Sequence, residues 1–147
     1  MVATLFEDIF TVTKINPDGV LFEKVDRIVA KGNQFEKILQ VDVNKDIYPI
    51  ALNDTLKIVL VSTINLDGTP DSGYYVQGNR KSLADEYEYV MQGKLYRIPE
   101  GRSPDELKII VSFGGLLMEL SADSSIAAKF ELDQRVFILM RKIRTGR

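Results

Sequence analysis

Histidine and cysteine are both absent from this 147-residue chain. Without histidine it lacks the commonest general base and the commonest metal ligand. Without cysteine it has no disulfide, no zinc–thiolate site and no thiol nucleophile, a composition that suits a reducing compartment. Catalysis would have to run on carboxylates, lysines, tyrosines or serines. Also missing is any apolar run of the roughly 18 residues that a membrane-crossing helix needs. The opening Met-Val-Ala-Thr-Leu-Phe-Glu-Asp places acid where a secretory signal places base. This predicts a soluble protein outside the usual secretory route, so the sequon Asn53-Asp54-Thr55 carries no expectation of glycosylation. GxGxxG, Walker and nucleophile-elbow patterns are missing, and so are repeats of fixed period.

What is present reads as one globular unit over residues 1–147. A hydrophobic content of 45% is ordinary, and a chain of this size hides roughly two-thirds of its unfolded surface. The formal charge is −2. Residues 141–147 hold four cations, so the remaining body carries −6. An acidic body is a poor non-specific partner for phosphate. The basic tail reads as a solvated strand end, with contact to phosphate or an acidic partner as the alternative.

Period-two alternation recurs along the chain. Residues 5–12 open with Phe6 and Phe10 set against Ile9 and Val12. Asn16-Pro17-Asp18-Gly19 is a turn signal. Residues 20–30 follow, then a turn at Lys31-Gly32-Asn33, then a strand over 35–43. Asp42-Val43-Asn44-Lys45-Asp46 copies half of a calcium loop, but Ile47 and Asn53 stand where that loop needs Gly and Glu; it reads as a polar turn. Residues 55–64 and 134–143 are apolar on both faces, which predicts strands buried on both sides or covered by a loop.

Residues 65–81 form a long Gly/Pro/Asp-rich connection, a mobile or binding loop. Residues 87–91 and 94–98 flank Gln92-Gly93 as a tight hairpin would. Ser82 starts a capping-box pattern, and residues 124–130 have the composition of a helical turn. Around the Gly114-Gly115 pair, Ile109, Val111 and Phe113 alternate with Lys108, Ile110 and Ser112. Beyond it, Leu116, Met118 and Leu120 alternate with Leu117, Glu119 and Ser121. Adjacent glycines there predict a bulge, a sharp bend or the close approach of another backbone. The expectation is a strongly bent core strand, or two strands, in which Gly115→Val harms folding. About eight short strands and no long amphipathic helix predict an all-β fold, a sandwich or barrel.

Several of these stretches, in order, resemble one family. They are Leu5-Phe6-Glu7-Asp8-Ile9-Phe10, then Asp42-Val43-Asn44 with Ile47-Tyr48-Pro49, then residues 83–91 with Gly93-Lys94-Leu95-Tyr96. Ser112-Phe113-Gly114-Gly115-Leu116-Leu117-Met118 carries the most, and residues 133–142 complete the series. Together they resemble subunit eight shared by the eukaryotic nuclear RNA polymerases I, II and III, with a departure only past Lys142. The resemblance implies an eight-stranded antiparallel barrel of OB-fold-like type. It implies a non-catalytic common subunit, without cofactor, metal or small-molecule substrate, that docks on the largest subunit and neighbouring subunits and aids assembly. It further implies a nuclear location, in nucleoplasm and nucleolus, with nucleic acid contacted weakly or indirectly and no membrane partner.

Tyr89, Met91, Tyr96, Gly114, Gly115, Leu116 and Met118 are the candidate interface residues. They are aromatic, methionine or bare-backbone positions of the kind interface cores use, and core packing is the competing reading for each. Two other functions are open. A free-standing OB-like single-strand binder would stack bases on Tyr74, Tyr75, Tyr87, Tyr89 and Tyr96. An enzyme would use the carboxylates Asp85, Glu86 and Glu88.

Overall fold

A computed structural model describes residues 4–17, 19, 23–34, 37–63, 86–98 and 106–143. Eight strands are present among them: β1 (Thr4–Ile15), β2 (Val25–Gly32), β3 (Ile38–Asn44), β4 (Thr55–Val61), β5 (Tyr89–Arg97), β6 (Leu107–Phe113), β7 (Leu116–Ala122) and β8 (Arg135–Lys142). One short helix, α1 (Ser124–Ala127), precedes β8. All pairings are antiparallel. The strands close into a barrel in the order β1-β2-β3-β7-β6-β5-β8-β4. An OB barrel typically has five strands; this one closes with eight.

That order contains a symmetry the sequence hides. Strands β1–β4 take the spatial order 4-1-2-3, and β5–β8 repeat it as 8-5-6-7. Each half is a Greek key. The halves meet where β4 pairs with β8 and β3 with β7.

Alternation builds the core. Phe6, Phe10 and Val12 of β1 point inward with Ile28 of β2, Val41 of β3, Ile58 and Leu60 of β4, Leu95 of β5, Val111 of β6, Met118 and Leu120 of β7, and Ile138 of β8. Val12 thus shares the Phe6/Phe10 face rather than that of Ile9, because inward positions on β1 are the even-numbered ones. The two strands read as apolar on both faces are buried on both. Outside the barrel, Val59 and Val61 of β4 and Phe137 and Leu139 of β8 form a second cluster with Tyr87 and Val90 packed against it.

Two glycine readings change. Gly114 and Gly115 do not bend a continuous strand. They are the exposed tip of the β6–β7 hairpin, with φ of +64° and +100°, and a Cβ on either would meet nothing within 4 Å. Positive φ at both central residues is the type I′ pattern of a two-residue hairpin. Gly115→Val is therefore expected to destabilise through backbone strain, by about 1–2 kcal/mol. Gly114→Asn, which suits the same turn, should stay within about 0.5 kcal/mol of the parent in urea titration.

The close backbone approach lies instead at Gly93. Gln92-Gly93 is not a hairpin turn: β5 runs unbroken through it, with Gly93 opposite Val136. A Cβ on Gly93 would fall on the carbonyl oxygen of Ser112, with the Ser112 carbonyl carbon and Phe113 Cδ1 each at 2.8 Å. Only a residue without a side chain lets β5 lie against β6 there.

Other turns follow local chemistry. Gly19, at φ +91°, donates its N–H to the Asn16 carbonyl at 2.9 Å. Beyond β3, the N–H groups of Ile47 and Tyr48 reach the Asn44 carbonyl, and that of Asp46 reaches Asn44 Oδ1. This is the polar turn expected there. Asp42 itself lies in β3.

Helix α1 is capped by Asp123, whose carboxylate accepts from the Ser125 hydroxyl at 2.7 Å and the Ile126 N–H at 3.0 Å. Those two bonds, Ser125 first, hold the Asp123 carboxyl below its ordinary pKa. A depressed folded pKa means that the cap contributes fully above the unfolded carboxylate's pKa, near 4. The contribution is lost as pH falls through the lower folded value. Asp123→Asn should keep the cap and flatten that acid limb of the stability profile. Residues 65–81, Ser82, Asp85, Tyr74, Tyr75 and the tail past Ile143 lie outside the described residues.

Candidate partner interface

Two of the seven candidates, Tyr89 and Met91, sit at one barrel mouth, and Gly114, Gly115 and Leu116 lie at the β6–β7 hairpin end, set back from it. The β3–β7 ladder stops at Val41–Met118, and the β5–β6 ladder begins at Lys94–Ser112. The tip of the β6–β7 hairpin therefore ends short of that mouth. Past it, β3 and β5 face each other directly, and the Asn44 N–H donates to Tyr89 Oη at 3.1 Å. Tyr89 Oη in turn points at Met91 Sδ, 3.4 Å away. The Tyr89 ring stacks on Tyr48, with centroids 5.1 Å apart and planes within 5°.

The mouth is thus plugged by side chains. Tyr48 Oη donates to Glu88 Oε1 at 2.6 Å, and the Lys142 N–H donates to the same oxygen at 2.9 Å. Lys142 Nζ caps the Tyr48 ring at 5.4 Å and donates to the Pro49 carbonyl at 2.6 Å. Glu88, one of the suggested acid–base carboxylates, serves here as a brace between the chain after β3 and the end of β8.

Each candidate has a definite place. Gly114 and Gly115 are exposed at the hairpin tip; Leu116 and Met91 are half-buried against the core; Tyr89 is buried in the plug. Met118 is fully buried, so its side chain belongs to the core and offers no surface. Tyr96 stands apart, near the other end of β5, with 65% of its surface exposed.

Asp42, read from the sequence as the start of a polar turn and as part of a family motif, ties β3 to the hairpin. Asp42 is buried on the outer side of β3. It receives Arg27 Nε at 2.7 Å and Nη2 at 3.1 Å, and the Leu117 N–H at 3.1 Å. The carboxylate takes over where the β3–β7 ladder ends. Arg27 lies directly opposite Asp42 in the β2–β3 register, a pairing visible only once strand register is known.

Of the tyrosines proposed for base stacking, Tyr89 is buried. Tyr87 is half-buried between Lys57 Nζ at 5.9 Å and the Arg141 guanidinium at 6.0 Å, and Tyr96 is exposed. Among the described residues, no group of three or more His, Cys, Asp or Glu side chains is placed to hold a metal ion. No helix there is long and apolar enough to cross a membrane.

The family model described as RNA polymerase Rpb8 matches residues 7–142, from within β1 to the last residue of β8. This chain belongs to the RNA polymerase Rpb8 family. An Arabidopsis thaliana relative named DNA-directed RNA polymerases II, IV and V subunit 8B is 50% identical over 141 residues. The match covers 95% of this chain and 96% of that relative. The Dictyostelium discoideum subunit rpabc3 of DNA-directed RNA polymerases I, II and III is 40% identical, with 97% and 99% covered. The Saccharomyces cerevisiae subunit RPABC3 is 38% identical over 128 residues, with 82% and 86% covered. The Rpb8-family assignment therefore rests on nearly the whole barrel rather than on the Gly114-Gly115 motif alone.

Proposed function

We propose that this chain is a non-catalytic subunit shared by the nuclear DNA-directed RNA polymerases I, II and III. It docks on the largest subunit and neighbouring subunits and supports assembly and stability of the complex. The near-full-length match to relatives named as polymerase subunits carries this reading. Polymerase II is the enzyme common to the three relatives' names, so membership there is the first expectation. The geometry is compatible. The described carboxylates Asp42 and Glu88 are engaged in bracing the barrel, and several large apolar side chains remain on its outside. A rigid barrel with exposed apolar groups suits binding to a larger partner.

The location that follows is the nucleus, in the nucleolus for polymerase I and the nucleoplasm for the others. Conditional depletion of the chain tests the assembly role. Assembled polymerase should fall while the largest subunit accumulates outside the complex. Unchanged amounts of assembled enzyme after complete depletion would contradict it.

A further inference from the structure

The outer face around Tyr96 has features that folding does not need. Leu95 pairs with Val111 and Arg97 with Ile110, so Tyr96 is the extra residue of a β-bulge. Bulges re-aim a side chain, and here the ring points into solvent. The Asp133 N–H donates to the Leu95 carbonyl at 3.1 Å, which brings Leu132, 64% exposed, alongside. Leu117, 43% exposed, lies on the same outer face through the register Leu117–Ser112–Lys94.

Register also sets Lys94 directly opposite Arg135. Arg97 lies 5.9 Å from the Tyr96 ring centroid. Neither Lys94 nor Arg97 has an acidic ion-pair partner among the described residues. The three cations sit on a chain of formal charge −2, leaving −5 for the rest. Glu131 and Asp133 flank Leu132 and bound the patch on that side.

We propose that this face docks an acidic segment, bearing apolar side chains, of a partner polymerase subunit; the proposal rests on the subunit reading above. An acidic side chain placed beside Lys94 and Arg97 gives these two cations a charge partner. The tyrosine, the arginine and the exposed leucines match the composition of interface cores. The patch spans β7 to β8, three strand spacings or about 15 Å, enough for one extended segment. Nucleic acid fits less well. Stacking on single strands uses successive aromatic rings, whereas Tyr96 is the one exposed tyrosine among the described residues, and Leu117 and Leu132 offer nothing to phosphate.

The test places a photo-crosslinking residue at Tyr96 of the tagged full-length chain in its own cells. It is combined with a K94E/R97E variant whose melting temperature is checked against the parent. The expected result is a cross-link to an Asp- and Glu-rich segment of a polymerase subunit, with about tenfold less polymerase recovered by the variant. A K14E/K24E variant, altered on β1 and beside β2, should recover polymerase normally. A folded K94E/R97E chain that recovers polymerase fully would overturn the proposal. So would equal loss in the K14E/K24E variant, or cross-linking to nucleic acid. If the parent chain recovers no polymerase, the subunit reading fails first and the docking face with it.

Discussion

Gly93→Ala is expected to be the most damaging single-methyl change in the barrel, costing about 3 kcal/mol or more. The added carbon has nowhere to go. Its first neighbour is the Ser112 carbonyl oxygen, part of the backbone of β6, and the next are the Ser112 carbonyl carbon and Phe113 Cδ1 at 2.8 Å. A flexible side chain can swing aside, but a paired backbone cannot without breaking the ladder at Lys94–Ser112. For a chain of this length the loss corresponds to a fall of roughly 10 °C in Tm. Gly115→Ala removes no contact and strains only its own φ, so it should cost about 1–2 kcal/mol. Urea titrations of both variants decide the order. Near-equal stability of Gly93→Ala and the parent would mean that β5 and β6 are not in close approach.

Asp42→Ala should be comparably large, about 3 kcal/mol. The substitution removes both arms of the Arg27 fork and the acceptor of the Leu117 N–H together. Arg27 keeps only partial exposure, 22% of its side chain, so its charge is poorly rehydrated. Replacing both partners, as in R27M/D42L, should recover part of the loss, because apolar side chains need no counter-charge. A double-mutant cycle measures that coupling. Amide exchange adds a local readout: the Leu117 amide should lose protection before the core amides of Val111 and Leu120 do. An unaltered Leu117 exchange rate in Asp42→Ala would show that the carboxylate does not hold the hairpin.

Much of the barrel is legible in the sequence because apolar alternation encodes which face of a strand is wet. The inward set Ile109, Val111, Phe113, Leu116, Met118 and Leu120 can be read off directly. So can the double-sided burial of β4 and β8. What is illegible is whatever depends on register and on closure. The sequence presents Gly93 and Gly114-Gly115 as the same punctuation, and only the neighbouring strand distinguishes a close approach from a hairpin tip. The Arg27–Asp42 pair, the Lys94–Arg135 opposition and the twofold Greek-key order arise from which strands become neighbours across long sequence separations. Least legible is which apolar side chains end on the surface: the fold buries Met118 and Tyr89 and exposes Leu117 and Leu132.

The central claim is that this barrel is a component of nuclear RNA polymerase. Gentle affinity purification of the tagged chain from its own cells, followed by quantitative mass spectrometry, tests it most directly. The expected result is recovery of the largest polymerase subunit and its neighbours in near one-to-one proportion with the tagged chain, polymerase II among the assemblies. A folded, expressed chain that brings down no polymerase subunit would contradict it.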